Sequence, residues 1–179
     1  MAISSAALRE TDPRYHTAFI SIGSNMGNKV QNCQFGIDAL IRSGYNVLRG
    51  QSRFYLTEPT EYPKQEWFVN VAVKIETELD PTGLLRRLQT IEAEAGRSPG
   101  GVRFGPRILD MDIILYDDLV METPDLVIPH SRMHKRRFVL QPVCDIDSTV
   151  VHPVLKTQVG KLLDQLDHTE QRIIVYPCG

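Results

Sequence analysis

Between Phe104 and Asp118 the sequence reads FGPRILDMDIILYDD, an apolar strand broken by two aspartates at alternate positions. Few folds accommodate that pattern. Successive side chains of a β-strand point to opposite faces, so residues two apart share one. Asp110 and Asp112 therefore face one way, while Leu109, Met111 and Ile113 face the other. The apolar side demands a packed layer behind it. The carboxylates, about 7 Å apart along the strand, demand a polar front. Asp is disfavoured in strands, so two of them among Ile, Leu and Met mark a buried strand whose acidic end opens into a site. Mg²⁺ suits such a pair and normally brings substrate phosphates with it. Arg107, in the turn after Gly105-Pro106, stands where a guanidinium can hold those phosphates. A solvated strand face carrying a chance D-x-D is the plain alternative.

The rest of the chain supplies the layers this strand needs. Residues 17–23, TAFISIG, read as a first strand ending in glycine, and 29–41 carry helical apolar spacing. Residues 46–57 read as a second strand with a bulge at Arg49-Gly50-Gln51, and 58–65 as a loop. Residues 67–79 form a long strand returning antiparallel to it. Asp80 and Pro81 open a second helix as N-cap and first-turn proline, ending near Gly96. The order is β-α-β-β-α-β, and the expected fold is an α+β, ferredoxin-like core with a C-terminal extension. In that extension lie an apolar stretch from 138 to 143, a short helix over 159–166 and a final edge strand over 172–176.

With 179 residues, 42% hydrophobic and 23% charged, the chain suits one domain over residues 17–179, after a polar extension at 1–16. A net charge of −2 gives no reason to expect nucleic acid as a partner. No apolar run approaches the roughly 20 residues that cross a bilayer, and the first residues lack a secretory pattern. Cys33, Cys144 and Cys178 are widely spaced, which argues for a reducing, cytoplasmic setting and against a disulfide framework.

Four further segments are candidates to carry chemistry. The loop from Arg97 to Arg107 interleaves Arg97, Arg103 and Arg107 with glycines and prolines, a segment able to close guanidinium groups over a polyphosphate; a solvated loop is its bland reading. Gln89 and Glu92 share a helix face. Pro129-His130 and the run His134-Lys135-Arg136-Arg137 follow the acidic strand closely enough to complete an anion cradle, though such runs are usually solvated faces. Gly23-Ser24-Asn25 reads as a turn or a backbone nest. No GxxxxGK[ST], GxGxxG or G-x-S-x-G motif is present.

Taken together, F-G-P-R-I-L-D-M-D-I-I closely resembles the signature of the hydroxymethyl-dihydropterin pyrophosphokinases of folate biosynthesis. Gly23-Ser24-Asn25, Phe54-Tyr55-x-Thr57, Phe68-x-Asn70, Gln89-x-x-Glu92, Gly96-Arg97, Pro129-His130, Arg136 and Phe138 fit the same family in order. The resemblance implies a ferredoxin-like fold and transfer of pyrophosphate from ATP to a pterin hydroxymethyl group, releasing AMP. It implies Asp110 and Asp112 as ligands of two Mg²⁺ ions, with Asp110 close to the pterin hydroxymethyl. Arg97 and Arg107 would act on the transferred group. Gln89, Glu92, Ile113, His130 and Arg136 would line the ATP site, and Thr57, Phe68, Asn70, Phe104 and Phe138 the pterin pocket. The expected partners are these small molecules, with no nucleic acid and no membrane, and the expected state is a monomer.

Four positions depart from the family pattern: Phe104 for a tryptophan, Pro99 for a loop arginine, Glu58 for a proline, and Ser131 for a tyrosine. None removes a metal ligand or a key arginine. Two rivals stay open, a different metal-dependent phosphoryl- or nucleotidyl-transferase and a non-catalytic binding domain of the same fold.

Overall fold

The computed structural model describes residues 14–59, 65–96, 105–167 and 171–177. Strand β1 (His16–Ser24) leads into helix α1 (Lys29–Arg42), whose N-cap Asn28 accepts the Gln31 N–H. Strands β2 (Asn46–Gln51) and β3 (Tyr55–Thr57) precede the long β4 (Phe68–Thr77). Helix α2 (Pro81–Glu94) follows, and its N-cap is Asp80, whose Oδ1 accepts the Gly83 N–H at 2.6 Å. Then come β5 (Asp110–Tyr116) and the small pair β6 (Met121–Glu122) and β7 (Val127–Ile128). The chain ends with α3 (Arg137–Asp147), the pair β8 (Val151–His152) and β9 (Thr157–Gln158), α4 (Val159–Asp164) and β10 (Ile173–Val175).

The main sheet runs β10-β3-β4-β1-β5, with β2 also on β4, and every pairing is antiparallel. This is the expected ferredoxin-like core, with one difference in detail. The segment read as a single strand over 46–57 is two. Its bulge falls between Leu48 and Gly50, and β2 and β3 pair with opposite ends of β4. Ser52, between them, donates its N–H to the Ala72 carbonyl and accepts the Ala72 N–H at its Oγ, so Ala72 keeps both its backbone partners across the break.

The two faces of the sheet are covered differently. Behind it, α1 and α2 pack Leu40, Leu84, Leu88 and Ile91 against Ile20, Ile22, Val71 and Val73, with Leu109, Met111 and Ile113 in the same core. In front, α3 and α4 pack Val139, Leu140, Val143 and Leu162 on Phe19, Ala72 and Leu115. The stretch 138–143, apolar but containing a proline, belongs to α3, which holds Pro142 in its interior.

Helix α3 is braced over β3 because Asp145 accepts the Tyr55 hydroxyl (2.7 Å) and two guanidinium N–H groups of Arg53. Its far end reaches Lys74 of β4 through Asp147. Its near end stops short of the acidic end of β5, and the front face is open there.

Burial pushes the Cys33 thiol up to about 12, so it is a core group rather than a reactive one. Among the described residues no helix is long and apolar enough to cross a membrane. Replacing Asp80 by Ala removes the α2 N-cap, costing about 1 kcal/mol, which a urea titration reads as a lower midpoint at unchanged slope.

Candidate active site

Directly opposed residues of antiparallel strands share a face, and the register writes the site as a row across the sheet. Asp112 lies opposite Ser21 and Asp110 opposite Gly23. Gly23 in turn faces Asn70, and Thr57 faces Phe68. This row sits where α3 leaves the front uncovered, and it floors a cavity of about 250 Å³. Asp110, Asp112, Arg107, His130 and Arg136 line the cavity together with Thr57, Phe68, Asn70 and Phe138. Those nine are the predicted site residues that the fold gathers. It adds Ser21, Gly23, Arg132 and Val139. Of these, Gly23 stands out in the sequence within the Gly23-Ser24-Asn25 turn, and Ser21 carries a signal as a polar position two residues before it on the same strand face.

At the acidic end, Arg107 Nη1 forms a short ion pair with Asp110 Oδ1. Arg107 is held by Asn25, whose Oδ1 accepts the Arg107 N–H at 2.7 Å and whose own N–H donates to the Arg107 carbonyl at 3.1 Å. Asn25 also donates to Gln65 Oε1. The Gly23-Ser24-Asn25 triplet is thus a brace between two loop ends, which its sequence alone does not reveal. Burial, and next the Asp110 carboxylate, push the Asp112 carboxyl above the usual range; Arg136 and Arg107 offset part of this, while Glu92 adds to it.

Glu92 is 3% exposed and does not line the cavity. Strand β5 is the edge of the sheet, so its outward N–H groups need acceptors from outside the sheet. Glu92 Oε1 takes the Met111 N–H at 2.8 Å, fixing the residue between the two aspartates. Gln89 is exposed on α2 and Ile113 is packed in the core behind the sheet, and neither lines the cavity. Arg97, Pro99, Arg103 and Phe104 lie outside the described residues.

His130 Nδ1 accepts the Arg132 N–H at 3.2 Å. The neutral ring then carries its proton on Nε2 and is a donor, not a base. Burial, followed by the charges of Arg136 and Arg132, pushes its pKa down to about 4. At the other end Asn70 Nδ2 donates to Thr57 Oγ1 at 2.6 Å; the Arg136 guanidinium, whose charge reaches Asp112, lies 5.4 Å over the Phe138 ring. At Gly23 a Cβ would come within 2.6 Å of Asn70 Oδ1, so any larger residue must displace that amide.

The family model described as 7,8-dihydro-6-hydroxymethylpterin-pyrophosphokinase matches residues 19–148. The 2-amino-4-hydroxy-6-hydroxymethyldihydropteridine pyrophosphokinase of Bacillus subtilis is 40% identical over 129 residues, covering 72% of this chain and 77% of that protein. Its namesake in Haemophilus influenzae is 40% identical over 137 residues, 76% of this chain and 85% of that protein. The folic acid synthesis protein fol1 of Schizosaccharomyces pombe is 41% identical over 150 residues, 83% of this chain. The chain spans 20% of that fungal protein's length. Among solved structures, Plasmodium falciparum HPPK-DHPS superposes with a TM-score of 0.68 at 14% identity, covering 84% of this chain and 42% of that one, a likeness of fold.

With a folded pKa near 4 and an ordinary one near 6.5, His130 binds fewer protons folded than unfolded between those values. Its contribution to stability is therefore complete above about pH 6.5 and is lost as the pH falls towards 4. An NMR titration should find the His130 ring neutral down to about pH 5; a midpoint near 6.5 would contradict the geometry.

Proposed function

Because the chain belongs to the 7,8-dihydro-6-hydroxymethylpterin-pyrophosphokinase family, we propose that it transfers the pyrophosphoryl group of ATP to 6-hydroxymethyl-7,8-dihydropterin. One observation carries the reading: one cavity lined by paired carboxylates and arginines and also by the Asn70 amide with Phe68 and Phe138. The hydroxymethyl oxygen attacks the β-phosphorus, the bond from that phosphorus to the α–β bridging oxygen breaks, and AMP leaves with the electron pair. The hydroxyl proton is released, and the pterin diphosphate is the second product. No protein nucleophile is required, so catalysis rests on positioning and on charge placed in advance.

At the acidic end Arg107 and Arg136 neutralise the phosphates and His130 donates through Nε2, and the family resemblance assigns Arg97 to the same task. At the other end the Asn70 amide meets the donor and acceptor edge of the heterocycle beside Thr57. Phe68 and Phe138, with Phe104, cover the flat ring. Asp110 and Asp112 fit Mg²⁺ as hard oxygen donors, and the upward push on Asp112 is what a cation would relieve. Among the described residues no group of three or more His, Cys, Asp or Glu side chains gathers for a metal. Two ions held by this pair would therefore complete their shells with phosphate oxygens and water. When bound, Mg²⁺ supplies charge neutralisation at the phosphates.

Incubation with ATP, Mg²⁺ and the hydroxymethyl pterin should yield AMP only when the pterin is present. ADP, or AMP without pterin, would place the chain among other transferases; no Mg²⁺-dependent nucleotide binding would leave a binding domain. Asp112→Asn should lower AMP formation roughly a hundredfold or more. In the absence of Mg²⁺ the same change should raise Tm by about 2–4 °C, since it removes a carboxylate that burial and Asp110 disfavour. Gly23→Ala should displace the Asn70 amide and raise the KM for pterin about tenfold while leaving the KM for ATP within about twofold.

A further inference from the structure

Helix α3 begins without a cap of its own. Its N-cap residue is Arg136, which makes no side-chain capping bond, because a guanidinium has no acceptor. The first N–H groups of a helix nevertheless need acceptors. Arg137 finds one far along the chain: its N–H donates to Gln171 Oε1 at 2.7 Å. The other half of that amide, Nε2, donates to the Lys135 carbonyl at 2.9 Å. One bond requires an acceptor and the other a donor, so together they fix the amide's orientation. They bracket Arg136, the residue between, and hold the first turn of the helix that carries Phe138.

Gln171 opens the tail that becomes β10, and that tail is anchored on the opposite wall of the cavity. The Arg172 carbonyl accepts the Glu58 N–H at 3.1 Å. The Arg172 guanidinium lies 5.4 Å over the Trp67 ring, and Ile173 pairs with Thr57. Residues 171–173 therefore join the segment bearing Arg136 and Phe138 to the strand end bearing Thr57 and Glu58. All four of those residues line the cavity.

The geometry points to Gln171 as a positioning residue for the transfer site. Its side-chain amide caps α3 from the C-terminal tail and so sets Arg136 and Phe138 against the wall formed by Thr57 and Glu58. The amide does not line the cavity, and it acts through the two residues it places. This rests on the reaction proposed above for its kinetic reading, though not for its structural one.

The test compares Gln171→Ala, which removes both bonds, with Gln171→Glu, which keeps the acceptor for Arg137 and loses the donor to Lys135. In the Ala variant the KM values for ATP and for pterin should each rise about fivefold, the size of a lost cap, with kcat within about twofold. Amide exchange at Arg137 should quicken by a similar factor. The Glu variant should retain exchange protection at Arg137 and fall between in KM. Unchanged KM values in the Ala variant would overturn the inference, whether or not Tm falls, since a purely structural role moves Tm alone. If the wild type forms no AMP, the proposed reaction fails instead. Exchange at Arg137 and a calorimetric titration with ATP then still decide the role of Gln171. Faster exchange with weaker ATP binding supports it, and no change in either overturns it.

Discussion

The structure depends on keeping two carboxylates side by side on the last strand of a sheet. An edge strand has backbone groups without a strand partner, and aspartates two apart repel each other. Both problems are met by side chains brought from elsewhere in the sequence. Glu92 takes the Met111 N–H between the aspartates. Arg107 pairs with Asp110, and Arg136 opposes the upward push on Asp112 without cancelling it. On the function proposed above, that residual strain is useful: a site left too negative for its burial would favour a cation and the phosphates that accompany it.

Unequal coverage of the two sheet faces makes room for that chemistry. A full layer of two helices behind the sheet buries the apolar side of β5 and fixes its register. A shorter cover in front leaves the acidic end, Gly23 and Asn70 exposed to a cavity that the start of α3 closes from one side. Three braces set where α3 lies: Asp145 on Tyr55 and Arg53, Asp147 on Lys74, and the Gln171 amide at its first turn. Positioning of this kind matters most where no covalent intermediate is formed, because the barrier then depends on how well the reacting groups and charges are aligned.

Legibility followed the range of the interactions. The strands 16–24, 68–77 and 110–116, and the helices opening at Asn28 and Asp80, are local products of periodicity and capping, and they lie within a residue or two of where the sequence puts them. The break between β2 and β3 was not legible, because it depends on Ser52 finding Ala72 on another strand. Nor was the α3 helix, whose Pro142 weakens the local signal and whose cap lies 34 residues downstream. The pair Gln89 and Glu92 shows the same limit: one helix face, yet Gln89 is exposed and Glu92 is buried against β5.

The sequence by itself determined the chemistry on offer. Alternation alone sets Asp110 and Asp112 on one face, opposite Met111 and Ile113; the residue types suit a cation and its phosphates, and the flat heterocycle enters only through the family resemblance. What only the tertiary structure decided is which distant groups meet. It gives Asn25 to Arg107, Glu92 to Met111, a neutral donor role to His130, and Gln171 to the first turn of α3. A strand's facing follows from covalent geometry over two residues. A hydrogen bond across dozens of residues exists only once the packed layers have fixed both partners, and no local pattern encodes it.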